Sequence, residues 1–230
     1  MKDMEMDYNN LDLKECARSG EYSRNSDAIT LGKRLIVDSV WKAAGIEGLG
    51  TTFPNTQSLI MNLPVQTTRD EMLFITNMKR GWEVVIGCID FPNDLDFMKQ
   101  LHRIITENLV YKPGEIRKTD VIISGTDWRP EIPCEETIIS EIDRINKIGD
   151  KTDSAFEMFA FLTRAQIFTD GNKRMAELMS NKILMQYDRG ILSVKYNDIN
   201  RFLSKLISFY ETGDKAEFKE YLKRECFLSV

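Results

Sequence analysis

The sequence predicts an all-α fold, a helical bundle with one short β-hairpin, and three observations carry that prediction. Apolar residues recur at three- and four-residue spacing along most of the chain. Strand-like composition is confined to Val121, Ile122 and Ile123, in a stretch interrupted by Gly125, Pro130 and Pro133. Residues 155–168 are apolar nearly all round, the composition of a helix buried at a bundle's centre. The 230 residues suffice for one sizeable domain, and 42% hydrophobic with 29% charged is ordinary for a soluble globular chain.

Residues 1–28 are polar, with Asn-Asn, Ser-Gly and Arg-Asn-Ser clusters, and read as an N-terminal arm; residues 29–230 read as a single domain. Ile29, Leu31, Leu35, Ile36, Val40 and Trp41 have helical spacing that stops near Gly45. After Pro54 a short helix is expected over 56–63, ending before Pro64. Thr68 and Glu71 form a capping box opening the pattern Met72, Ile75, Met78 and Trp82. A helix over about 93–109 buries Leu95, Met98, Leu101, Ile104 and Ile105, and Pro113 with Gly114 closes it. Residues 114–133 read as the extended segment or hairpin. Helix resumes after Cys134, with core helices across 151–187, then Ile199 to Tyr210 at helical spacing and a last helix over 215–226.

A net charge of −5 argues against extended nucleic-acid contact, which rests on clustered Lys and Arg, although it leaves room for a local nucleotide pocket. The four cysteines, Cys16, Cys88, Cys134 and Cys226, have no zinc or dithiol spacing. The acidic start is unlike a signal peptide, and no apolar run approaches a membrane span. These features imply a cytoplasmic protein without membrane contact.

Chemistry concentrates in residues 166–174, Gln-Ile-Phe-Thr-Asp-Gly-Asn-Lys-Arg, between two helical patterns. Gly171 permits a tight turn and close backbone approach, and the first amides of the following helix favour an anion. Arg174 can clamp phosphate oxygens and Asp170 can hold a divalent cation. No P-loop, dinucleotide-binding glycine pattern or His-Glu-x-x-His helix accompanies it. Alone, a Gly-Asn pair entering a helix is more often a turn or cap than a ligand site.

The segment resembles the motif of Fic-domain proteins, His-x-Phe-x-Asp/Glu-Gly-Asn-Gly/Lys-Arg. Phe168, Asp170, Gly171, Asn172, Lys173 and Arg174 match it in order, and Gln166 stands where the family has its catalytic histidine. The resemblance implies transfer of AMP from ATP to a hydroxyl of a target protein. It makes Asp170 the Mg2+ ligand, places Gly171 and Asn172 in an anion hole, gives Arg174 the outer phosphates and makes Phe168 the loop's anchor. Lys173 resembles the Doc branch, and either recruits another phosphate oxygen or points to solvent. Within 29–66, the run from Ala43 to Gly48 resembles the family's inhibitory motif with Glu47 as its glutamate, although Ala43 replaces the hydroxyl residue and Glu177 the arginine that glutamate usually meets. An ordinary helix-terminal Glu-Gly turn is the alternative. Like charges at 47 and 177 repel, leaving Lys173 or Arg174 as partners. Residues 114–133, with Val121, Ile122 and Ile123, resemble the flap that docks a target protein, or are a plain surface hairpin. His102, the only histidine, reads as a hydrogen-bonded structural residue ahead of a replacement base.

Glutamine cannot take up a proton near neutral pH, and a general base contributes about two to four orders of magnitude in rate. Activity is therefore expected to be reduced or altered. The alternatives are a non-catalytic nucleotide- or protein-binding pseudoenzyme and Doc-like phosphotransfer. A homo-oligomer is compatible with the sequence.

Overall fold

The computed structural model describes Leu13 and residues 25–230. Most of the arm read at 1–28, and Cys16, lie outside the described residues. Nine α-helices are described: α1 (Asp27–Ile46), α2 (Phe53–Ile60), α3 (Arg69–Gly87), α4 (Leu95–Ile105), α5 (Glu135–Asn146), α6 (Lys151–Ala165), α7 (Asn172–Gln186), α8 (Ile199–Thr212) and α9 (Lys215–Tyr221). The all-α expectation holds.

Local chemistry sets most helix starts. Ser26, Thr52, Asp94, Asp150 and Asp214 each accept a hydrogen bond from a first-turn amide, and Thr68 with Glu71 closes the capping box that opens α3. Helix α2 starts at Phe53, earlier than its pattern suggested, because Thr52 caps it and Pro54 sits in the first turn, where a missing N–H costs nothing. The last helix ends at Tyr221, shorter than expected, and unwinds through a π turn, Leu222–Cys226.

A small antiparallel pair joins β1 (Gly190–Leu192) to β2 (Phe227–Ser229), with Ile191 opposite Leu228. Gly190 has φ +135°, and a Cβ there would lie 2.0 Å from the Leu228 carbonyl oxygen, so only glycine fits. Residues 115–133 contain no strand ladder. Their main chain is satisfied in part by a buried arginine, described below, and Pro130 and Pro133 lack ladder donors.

Helices α6 and α7 run side by side at the centre, with α1, α3, α4 and β1 packed on α7 and with α5 and α9 packed on α6. Two polar residues fix the rotation of α7. Asn181 exchanges two hydrogen bonds with the backbone of Leu192, at 2.8 and 3.0 Å. The fully buried Lys182 ammonium donates to the Phe91 carbonyl at 2.6 Å and to Asn93 Oδ1 at 2.9 Å, anchoring the turn before α4. This register presents the N-terminus of α7, with residues 166–171, on one side of the bundle.

Candidate functional site

Helix α6 ends because Gln166 turns left-handed, φ 47° and ψ 55°, and α7 begins after Gly171, φ 80° and ψ 7°. Between them Asn172 acts as an internal brace: its Oδ1 accepts from Phe168 N at 3.0 Å, and its Nδ2 donates to Phe168 O at 2.8 Å and Gln166 Oε1 at 2.9 Å. Gln166 Nε2 donates to Thr163 O at 2.6 Å. The two side-chain amides thus hold the loop and each other. Asn172, expected to line an anion hole, has its side chain committed to the loop, and its backbone N–H remains the group an anion can use.

Phe168 is fully buried and stacks on His102 with centroids 3.8 Å apart. His102 Nδ1 accepts from Gly114 N at 2.8 Å, so Nε2 carries the hydrogen and donates to the Asp170 carbonyl at 2.9 Å. Burial first, with Arg174 adding, pulls its pKa down to about 4 against the bond to Asp170. Both ring nitrogens are occupied, and His102 braces the loop without offering a base.

The first-turn amides of α7, at Asn172, Lys173 and Arg174, have no intrahelical acceptors. Around them stand Asp170, whose side chain is 61% exposed, and Arg174, only 5% exposed, joined by an Arg174 Nη2 to Asp170 Oδ2 contact of 2.9 Å. Arg174 Nη1 also donates to Ile105 O, and its guanidinium lies over Phe74. Gly171 is tightly enclosed: a Cβ would sit 2.9 Å from Thr106 and 3.2 Å from His102. A left-handed glycine, free amides and a fixed guanidinium are together the components of a candidate anion site. The described residues contain no group of three metal-binding side chains. One exposed carboxylate beside such a candidate site still fits Mg2+, which keeps water and takes one or two carboxylates with phosphate oxygens.

Helix α1 covers this end of α7. Glu47, its C-cap, reaches Lys173 Nζ at 3.0 Å and Arg174 Nε at 3.9 Å. Ala43 and Glu177 line a neighbouring cavity of about 20 Å³, room for little more than a water molecule. Trp41 fixes the covering helix by stacking on Tyr196 at 3.9 Å and donating to Thr51 O at 3.2 Å. Tyr210 of α8 approaches from another side. Its hydroxyl faces the Gln166 side chain, while burial and then the charge of Glu47 push the phenol well above its usual range.

Residues 114–133 are tied to the loop by Arg117, which is 2% exposed. Its backbone N donates to Ile167 O at 3.0 Å, its Nε to Gln166 O at 2.5 Å, and its terminal nitrogens to Thr119 O at 2.8 Å and Glu131 O at 2.5 Å. One side chain therefore clamps both limbs of the segment to the motif. Outward from it Val121 and Ile123 are half-buried, whereas Ile122 is 81% exposed, the alternation of an edge. The bracing role of Arg117 and the contact of Tyr210 escape sequence reading. A charged residue amid turn formers was the available signal for the first, and the second had none.

Residues 92–184 match the profile described as the Fic/DOC family, and over that segment the chain carries a Fic/DOC family domain. Glu47 and Tyr210 lie outside it. Solved structures with the same fold include a Fic domain containing signaling protein from Bacteroides thetaiotaomicron (18% identity, TM-score 0.70, covering 92% of this chain and 89% of that one). Two others are Fic-1 (aa134–508) from C. elegans (17%, TM-score 0.68, 92% and 65%) and a Fic family protein from Desulfovibrio desulfuricans G20 (17%, TM-score 0.68, 84% and 62%). The chain spans less than two thirds of these last two structures. No curated protein matches.

Proposed function

We propose that the chain binds ATP with Mg2+ over the N-terminus of α7 and is an adenylyl transferase of weak turnover, acting on a hydroxyl of a target protein. The observation that supports binding is the anion site: Gly171 in its left-handed turn, the free amides of 172–174 and the buried Arg174 guanidinium. Asp170 would hold the metal, whose chemistry is to neutralise and polarise phosphate oxygens. Arg174 would hold phosphate oxygens, and Lys173 would join it once parted from Glu47. In the transfer, the acceptor oxygen bonds to the α-phosphorus, the bond to pyrophosphate breaks, and the hydroxyl proton must leave. Gln166 accepts no proton, and its amide is already bound to Thr163 and Asn172. Binding should therefore survive better than turnover. The exposed edge at Ile122 would dock the target's main chain.

A pseudoenzyme that binds without turnover is the second reading, favoured by the same saturation of Gln166. Calorimetry with ATP and Mg2+, and labelled ATP with lysate and the Gln166→His variant beside the wild type, separate the two. Adenylyl transfer predicts binding by both forms and at least tenfold more labelling by the variant. Binding with no labelling by either form favours the pseudoenzyme, and the absence of ATP binding from both forms sinks the proposal. An added mass of phosphate alone would replace adenylylation with phosphotransfer.

A further inference from the structure

The return limb of residues 114–133 roofs a second cleft, of about 630 Å³, lined by none of residues 166–174; its floor is α5 and α6, and its end wall comes from Phe209 and Gly213. The size lies within the range of small-ligand pockets. Its walls mix polar and apolar groups, with Trp128, Phe161, Ile132 and Ile138 prominent, and two arginines line it: Arg129, which is exposed, and Arg164, which is half-buried.

Arg164 is held in place yet poorly satisfied. Its guanidinium lies 4.8 Å from the Trp128 ring and 5.9 Å from Phe209, which fixes its plane. Among the described residues a single long hydrogen bond, Nη2 to Tyr210 O at 3.4 Å, is its only one, and Nε is buried with no partner. No carboxylate among the described residues pairs with it. The other charges around the cleft are mostly engaged: Lys215 by Glu157, Glu141 by Arg144, and Arg129 by the carbonyls of Thr126 and Trp128. Glu131 also lines the cleft and is exposed. A half-buried arginine with most donors unspent, and with its Nε shut away from water, is open to an acceptor in the cleft.

The geometry points to a binding site for a small monocarboxylic acid with an apolar or aromatic body, its carboxylate on the Arg164 guanidinium and its body against Trp128, Phe161 and Phe209. The Arg164 guanidinium balances one negative charge, and Glu131 opposes a second, so a carboxylate suits the site better than a phosphate dianion. The planar fork matches a carboxylate in two-point contact. This site does not depend on the nucleotide reading.

The test uses the full chain and calorimetric titration with 3-phenylpropionate, its uncharged amide and inorganic phosphate. The acid should bind at least tenfold more tightly than the amide, and phosphate should not displace it at equal concentration. Arg164→Met should abolish the preference for the acid. Thr137→Trp, placed on the exposed face of α5 at the cleft, should block binding while leaving Arg164 untouched, which keeps the test decisive where the arginine variant fails to fold. Asp170→Ala should leave binding unchanged. Equal affinity for acid and amide, no binding by the wild type, displacement by phosphate, or loss through Asp170→Ala with neither cleft variant mattering would each overturn the assignment.

Discussion

Glu177 sits opposite Glu47 with no cation bound to it among the described residues, and burial first, then the charge of Glu47, pushes its carboxyl up to about 8 against the pull of Lys42. An unfolded chain releases that proton near the ordinary carboxylate value, so between pH 4.5 and 8 the folded state binds more protons and loses stability as pH rises. Glu177→Gln removes the penalty. The variant should melt with the wild type near pH 4.5 and higher at pH 9, by on the order of 2–4 kcal/mol at most. Superimposable melts at both pH values would sink the account. The repulsion itself was readable from the sequence, as was the missing base at 166. The inward turn of Asn172 was not, since it follows from a left-handed backbone at Gln166 that a glutamine does not advertise. Nor was the hydroxyl of Tyr210, which looks like one more apolar position of α8 until tertiary packing brings it to Gln166.

Helices were legible because their signals are local: a cap, a period, a breaker. Thr68 and Glu71 announce α3, and the all-round apolar pattern announces α6. The strand pair was not, because β1 and β2 are three residues each and find each other only across α8 and α9, without alternation to mark them. Val121 to Ile123 did have strand propensity, and the composition suggested a hairpin, but the limbs of 114–133 meet through Arg117 in place of a ladder. That substitution makes the segment depend on one side chain. Arg117→Ala would leave the carbonyls of Thr119, Glu131 and Gln166 without their donor. Amide exchange across 117–131 should speed up by about tenfold or more while α7 keeps its protection. Unchanged exchange in that segment would show that something else holds it.

At the scale of the molecule, three helices on the side away from the motif are joined by one buried carboxylate. Glu157 of α6, its side chain 5% exposed, meets Arg144 of α5 at 2.6 Å, Lys219 of α9 at 2.9 Å, and Lys215. Burial alone would raise its pKa, but bonds from Lys215, Lys219 and Arg144 outweigh it and bring the value down to about 2. The unfolded chain takes up this proton near 4.5, whereas the folded protein resists it until about 2. The stabilisation is therefore complete above pH 4.5 and drains away as pH falls through that interval. Its upper bound is about 3 kcal/mol, reduced because Arg144 and Lys215 are 48% and 43% exposed and water screens them. Glu157→Gln should accordingly lower the melting temperature at pH 7 and narrow its gap to the wild type as pH approaches 2. A gap constant from pH 7 to pH 2 would mean that the three cations contribute packing without charge, and that α5 and α9 are held to α6 by their apolar faces alone.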